Sequence, residues 1–295
     1  MSRSLDFVIV GAQRAGSTSL HRYLASHPDI YLPREKELPF FGDETEFALG
    51  PGQLERHFRD RAEERVAGLS YVGMMFLDGS ADRVHAYNPR MKLVAVLRDP
   101  VERAYSAYWY HRRTGWEDSP SFEAALARER EGRLSSDAVG KSMAYLRNGC
   151  YMSQLEPFVE LFGKERLRVL LTEDLRERPA AAVRDLALWL GTRGEMPDVA
   201  FRERHNTSAM PRFPRLQRML MAAESPLKRV YRSAAPGFVR RAIRLRVTSR
   251  ILEWNERPFR YPEMSGETRA FLAEQFEPHN QRLASFLSRD LGHWS

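Results

Sequence analysis

The sequence holds a single cysteine, Cys150, so no disulfide can form within the chain, and a reducing compartment is its natural setting. It has no apolar run near the ~20 residues that cross a bilayer, and no charged stretch followed by an apolar one at its start. A soluble, cytoplasmic protein is expected. The eight histidines show no metal-ligand pairing, and neither an internal repeat nor a low-complexity tract interrupts the chain. Charge of one sign is also scarce outside a single region. The formal net charge is +7, yet between Pro226 and Arg250 lie Lys228, Arg229, Arg232, Arg240, Arg241, Arg244, Arg246 and Arg250 with no acidic residue among them. Elsewhere basic and acidic residues nearly balance. A net positive charge suggests an anionic partner, and a nucleic-acid-binding protein is one reading. The confinement of the charge and the lack of any base-reading motif argue against it.

What is present supports a real core: 295 residues, 43% of them hydrophobic, enough for one domain over residues 1–295 with a basic helical segment at about 215–262. In that segment Leu227, Val230, Phe238, Val239, Ile243 and Leu245 are mixed with the arginines. Amphipathic helices facing an anionic acceptor, or making peripheral contact with an anionic membrane, are one reading, and a solvated face on ordinary helices is the other.

Three apolar runs read as strands, the first of them buried: Asp6 to Val10, Lys92 to Leu97 and Leu167 to Leu171. Each leads into a helical pattern, over Ser17 to Ser26, 100 to 113 and Ala180 to Leu190. Asp99 and Pro100 cap the second of these helices. Alternating strands and helices imply a central parallel sheet between helical layers, a three-layer α/β/α architecture like that of P-loop proteins. The stretches 42–69, 116–148 and 206–262 are polar or mixed. An exposed amphipathic helix is expected over 120–133, and the C-terminal stretch Gly266 to Leu291 reads as helix broken near Pro278.

The first strand feeds GAQRAGST, with Gly11 and Gly16 at the spacing of a phosphate-binding loop. Backbone N–H groups and the helix N-terminus favour an anion there, with Ser17, Thr18 and Ser19 as added hydroxyl donors. The lysine that would reach the end of a triphosphate is absent, since Ser17 holds its position and Arg14 lies inside the loop. No strand ends in a magnesium-binding aspartate. A P-loop kinase using ATP and magnesium is therefore disfavoured, and a shorter anion bound without metal fits better. Arg98, at the end of the second long strand, and Ser106, about two turns into the following helix, supply a guanidinium and a hydroxyl for a second phosphate. An ion pair is the alternative for Arg98. Tyr105, Tyr108 and Trp109 read as packing.

The segments FVIVGAQRAGSTSLHRYLASHP, EKELPFF, KLVAVLRDPVERAYSAYWYH and RNGCYMSQLEPFVELFG together resemble the sulfotransferases that use 3'-phosphoadenosine 5'-phosphosulfate (PAPS), in the branch of the heparan sulfate enzymes. The resemblance spans about residues 5–215 in order. It implies that Gly11, Gln13, Arg14, Ala15, Gly16, Ser17 and Thr18 grip the 5'-phosphosulfate and that Arg98 and Ser106 hold the 3'-phosphate. By the same resemblance Glu37 is the general base, with Glu35 its rival, and Tyr151 lies near the cofactor or acceptor cleft. Arg212 is nominated for the loop over the 3'-phosphate. Arg14 stands where the family usually has lysine, so it acts by charge and not by donating a proton, with Lys36 a supplementary cation. The expected acceptor is a hydroxyl of a carbohydrate, glycolipid or glycosylated small molecule, and no metal is required.

Overall fold

The run FVIVG forms β1 (Phe7–Gly11), buried along its whole length, as a strand covered on both faces must be. The computed structural model describes residues 5–193, 209–211, 256–259 and 261–294. Arg212 and the basic stretch Pro226 to Arg250 lie outside the described residues. β1 passes through the glycine loop into α1 (Ser17–Ala25), followed by the short β2 (Ile30–Tyr31). Two short helices, α2 (Glu44–Ala48) and α3 (Gly52–Glu55), precede β3 (Val66–Ser70) and α4 (Ser80–Tyr87). The second apolar run is β4 (Lys92–Leu97), which leads into α5 (Pro100–Thr114). There Pro100 occupies the first turn and Asp99 accepts a hydrogen bond from the Val101 N–H at 2.8 Å, the cap its sequence predicts.

Next come α6 (Phe122–Arg130), α7 (Ala138–Ser142) and α8 (Tyr151–Phe162). The third run is β5 (Leu167–Leu171), trailed by α9 (Thr172–Glu177) and α10 (Pro179–Leu190). A two-stranded antiparallel pair, β6 (Ala209–Pro211) with β7 (Glu256–Pro258), precedes the long α11 (Gly266–Leu287).

The five strands of the main sheet are ordered β2-β3-β1-β4-β5 and every pairing is parallel. β1 is the centre, with Ile9 opposite Ser70 of β3 and Val94 of β4. The carboxyl ends of β1, β3, β4 and β5 therefore open on the same edge, where ligands of open parallel sheets sit.

Two sequence expectations are corrected here. The stretch 42–69, read as polar or mixed, contains β3, a strand in direct contact with β1. Its glycine has a packing reason: a Cβ on Gly68 would lie 2.4 Å from the Phe7 ring, so the ring closes flat against β3 only because no side chain intervenes. The C-terminal helix is unbroken at Pro278. Proline removes one N–H from the helical ladder, but Leu272 and Phe276 before it and Leu283 after it are all buried, and that packing holds both halves in line.

Apolar side chains form two clusters. The larger sandwiches the sheet and includes the β1 and β4 residues with Leu20 and Leu24 of α1. The smaller lies beyond α5, where Val101, Ala104 and Tyr108 meet Phe122 and Leu126 of α6, Tyr145, and Leu272 and Phe276 of α11. α6 is amphipathic as its sequence reads, but one face is not exposed: Phe122, Ala125 and Leu126 are buried in this cluster. None of the described helices is long and apolar enough to cross a membrane.

Candidate active site

The loop after β1 turns into α1 at Gly16, whose φ of 104° suits a residue without a Cβ. Ser17, the first residue of α1, is buried, while Thr18 is exposed. The loop is fastened to its surroundings by its own atoms. The Gln13 amide lies 3.4 Å from His111 Nε2, which is itself 3.2 Å from the Ser142 carbonyl. Burial pushes the His111 imidazole down to about 4, so this contact is made by a neutral ring at neutral pH. The Thr172 hydroxyl, at the end of β5, donates to the Ala15 carbonyl at 2.7 Å, with the Leu97 carbonyl 3.1 Å away.

Arg14 is half-buried, and its Nε donates to Ser106 Oγ of α5 at 3.2 Å. Its guanidinium carbon lies 5.0 Å from the centre of the Tyr110 ring, one turn further along α5. No carboxylate pairs with Arg14 among the described residues. Burial lowers its pKa, the Tyr261 phenol opposes that shift, and Arg113 and Arg98 lower it further. Arg98, at the end of β4, donates from Nη1 to the Arg14 carbonyl at 3.4 Å and pairs with Glu102 at 3.4 Å. Glu102 is shared with Arg269 of α11 at 2.7 Å. Arg98 thus makes the ion pair that was the alternative for it, while its guanidinium also reaches the loop carbonyl.

Glu37 follows the end of β3 in space: its N–H donates to the Ser70 carbonyl at 2.9 Å, and its Oε2 accepts from the Val72 N–H at 2.9 Å. The other carboxylate oxygen accepts from Lys36 Nζ, which also reaches Ser17 Oγ at 3.5 Å. One lysine therefore joins the Glu37 carboxylate to the first residue of α1. Leu38, Phe40 and Phe41 are buried and anchor this segment. Glu35 has a different setting, 70% exposed and paired with His57 at 3.5 Å, whereas the Glu37 side chain is 37% exposed. Three non-glycine residues adopt positive φ among the described residues, and two of them are Arg14, at 66°, and Glu37, at 65°. That conformation costs a residue bearing a Cβ about 1 kcal/mol or more, and such strain gathers at functional sites.

Residues 4–210 match the family described as "Sulfotransferase domain". The chain belongs to this family. It is 28% identical to a sulfotransferase from Alicyclobacillus acidocaldarius whose crystal structure superposes with a TM-score of 0.70 over 100% of this chain and 99% of that one. Among curated relatives, the bifunctional heparan sulfate N-deacetylase/N-sulfotransferase 1 of Caenorhabditis briggsae is 26% identical over 66% of this chain and 23% of its own length. Heparan sulfate glucosamine 3-O-sulfotransferase 3A1 of Mus musculus is 28% identical over 66% of this chain and 47% of its own. The chain thus spans less than half the length of these two relatives. Membership makes residues 4–210 a sulfotransferase domain, and the family implies PAPS as co-substrate.

In this sulfotransferase the residues read from the sequence converge unevenly. The loop, Arg14, Arg98, Ser106 and, through Lys36, Glu37 meet at the carboxyl edge of the sheet. Tyr151 is buried beneath it, and its hydroxyl donates to the Arg98 carbonyl at 2.6 Å, behind the guanidinium. Sequence reading missed Tyr110, Tyr261, His111 and Thr172. A hydroxyl just past an apolar run was the only signal for Thr172. Replacing it as Thr172→Val, which keeps the shape and deletes the donor, is expected to lower stability by about 1 kcal/mol and weaken nucleotide binding several-fold. Thermal unfolding and calorimetry check this, and parental values in both would show the pin to be idle.

Proposed function

We propose that this sulfotransferase moves the sulfuryl group of PAPS to a hydroxyl of a carbohydrate, glycolipid or glycosylated small molecule, with Glu37 as base and Arg14 as the cation at the leaving group. The observation that carries the reading is Arg14. A desolvated guanidinium with no carboxylate partner among the described residues, beside Arg98 and Arg113, is a costly arrangement unless an anion joins it. The donors fit the co-substrate: an α1 N-terminus with Ser17, and three guanidiniums suited to phosphate and sulfate oxygens. Carbohydrate acceptors are favoured by the heparan sulfate named for the relatives.

In this mechanism the acceptor oxygen forms a bond to sulfur while the bond from sulfur to the bridging phosphate oxygen breaks. The acceptor proton passes to Glu37, whose second oxygen is held by the Val72 N–H. The departing electron pair stays on the phosphate, where Arg14 offsets the developing charge. Lys36 keeps the base close to the loop.

Calorimetry with adenosine 3',5'-bisphosphate in metal-free buffer is expected to show binding, with ATP at the same concentration giving none. Binding of ATP with magnesium and no binding of the bisphosphate would overturn the reading.

A further inference from the structure

We propose that Tyr110 is the positioning residue for Arg14, its ring face and the Ser106 hydroxyl together fixing the guanidinium for transfer. Ser106 and Tyr110 are four residues apart on α5 and so lie on one face, a turn apart. Ser106 Oγ takes the Arg14 Nε–H at 3.2 Å, and the Tyr110 ring lies against the guanidinium at 5.0 Å. A hydroxyl alone leaves the plane free to swing about the Nε bond, and a flat ring removes that freedom. The ring's negative face also attracts the cation. Arg113, three residues on, places its own guanidinium 5.8 Å from the same ring, so Tyr110 offsets the gathering of two like charges.

The pairing accounts for the arginine. A guanidinium is planar, weakly hydrated and stacks on aromatic faces, whereas an ammonium is a hydrated point charge indifferent to a plane. Arginine in the loop and an aromatic ring at position 110 form a matched set, and the left-handed backbone of Arg14 belongs to the same arrangement. The inference rests on the reading that Arg14 serves the leaving group.

The test measures PAPS hydrolysis with water as acceptor, alongside calorimetric binding of adenosine 3',5'-bisphosphate. Tyr110→Leu is expected to lower the hydrolysis rate about tenfold, with bisphosphate affinity within threefold of the parent. Tyr110→Phe, which keeps the ring, should stay within twofold. In an Arg14→Lys background, Tyr110→Leu should cost less than threefold. As a second measurement that does not depend on the leucine variant folding, fluorinated phenylalanines at position 110 should slow hydrolysis progressively as the ring face loses electron density.

A Tyr110→Leu rate within twofold of the parent overturns the inference. So does a Tyr110→Phe loss equal to that of leucine, or a fluorinated series with a constant rate. Arg14→Ala separates the two levels: an inactive Arg14→Ala beside a fully active Tyr110→Leu sinks this inference alone, while a fully active Arg14→Ala sinks the underlying reading as well.

Discussion

Glu37→Gln is expected to reduce sulfuryl transfer by roughly 10²- to 10⁴-fold, the range over which a positioned base acts, with adenosine 3',5'-bisphosphate still bound. The substitution keeps shape and leaves an amide oxygen able to accept from the Val72 N–H, so the local backbone should hold. It removes the charge and the proton acceptor. Lys36 then loses its carboxylate partner and keeps Ser17, which is why nucleotide affinity should stay level or rise slightly. The measurement is steady-state transfer to an acceptor selected from desulfated glycans, glycolipids and glycosylated small molecules, with calorimetry on the same preparations. Near-parental turnover in a variant that binds the nucleotide would remove Glu37 from the chemistry. Glu35→Gln serves as the control, since that carboxylate is turned toward His57.

Arg14→Ala is the second large effect. Removing one preorganised donor from a charge that develops in the transition state costs about 10²- to 10³-fold in kcat, and that loss is expected here. Nucleotide affinity should also fall, because the guanidinium lies against Ser106 and beside Arg98. Arg14→Lys should recover much of the rate, since the ammonium can place the same charge. A folded Arg14→Lys protein as inactive as Arg14→Ala would mean that the site depends on the planar fork and not on charge alone.

The parts of the fold made from uninterrupted apolar runs could be read in advance. β1 is such a run, β4 and β5 are nearly so, with Lys92 opening one and Arg168 inside the other, and Asp99 with Pro100 marked the start of α5. β3 could not be read this way. Val66, Ala67, Gly68, Leu69 and Ser70 carry too little bulk to stand out in a charged stretch, and the strand is held by pairing with β1 and β2 and by Phe7 packed on its glycine, contacts distant in sequence. The continuity of α11 through Pro278 likewise depends on partners distant in sequence. The separate members of the candidate site were visible because glycine spacing, a strand-end arginine and a helix hydroxyl each have a chemical reason.

Their mutual arrangement was not. Sequence reading assigned Arg14 and Ser106 to opposite ends of the nucleotide, and the structure brings them within 3.2 Å of each other. Nothing in the spacing of Arg14 or Glu37 announces a left-handed backbone, and an aromatic residue in mid-helix such as Tyr110 reads as core until the cation lying on it is seen.

The membership of α5 in the smaller apolar cluster has a consequence for turnover. One side of this helix meets the glycine loop through Ser106 and Arg14, and the other is the seat of α6 and α11. In the binding mode proposed above, a nucleotide spanning loop and helix would act as a splint between the glycine loop and the cluster that holds α5. Product release then requires the splint to loosen. In that mode, side chains such as Phe122, buried against α5, would influence the rate at which the spent nucleotide departs.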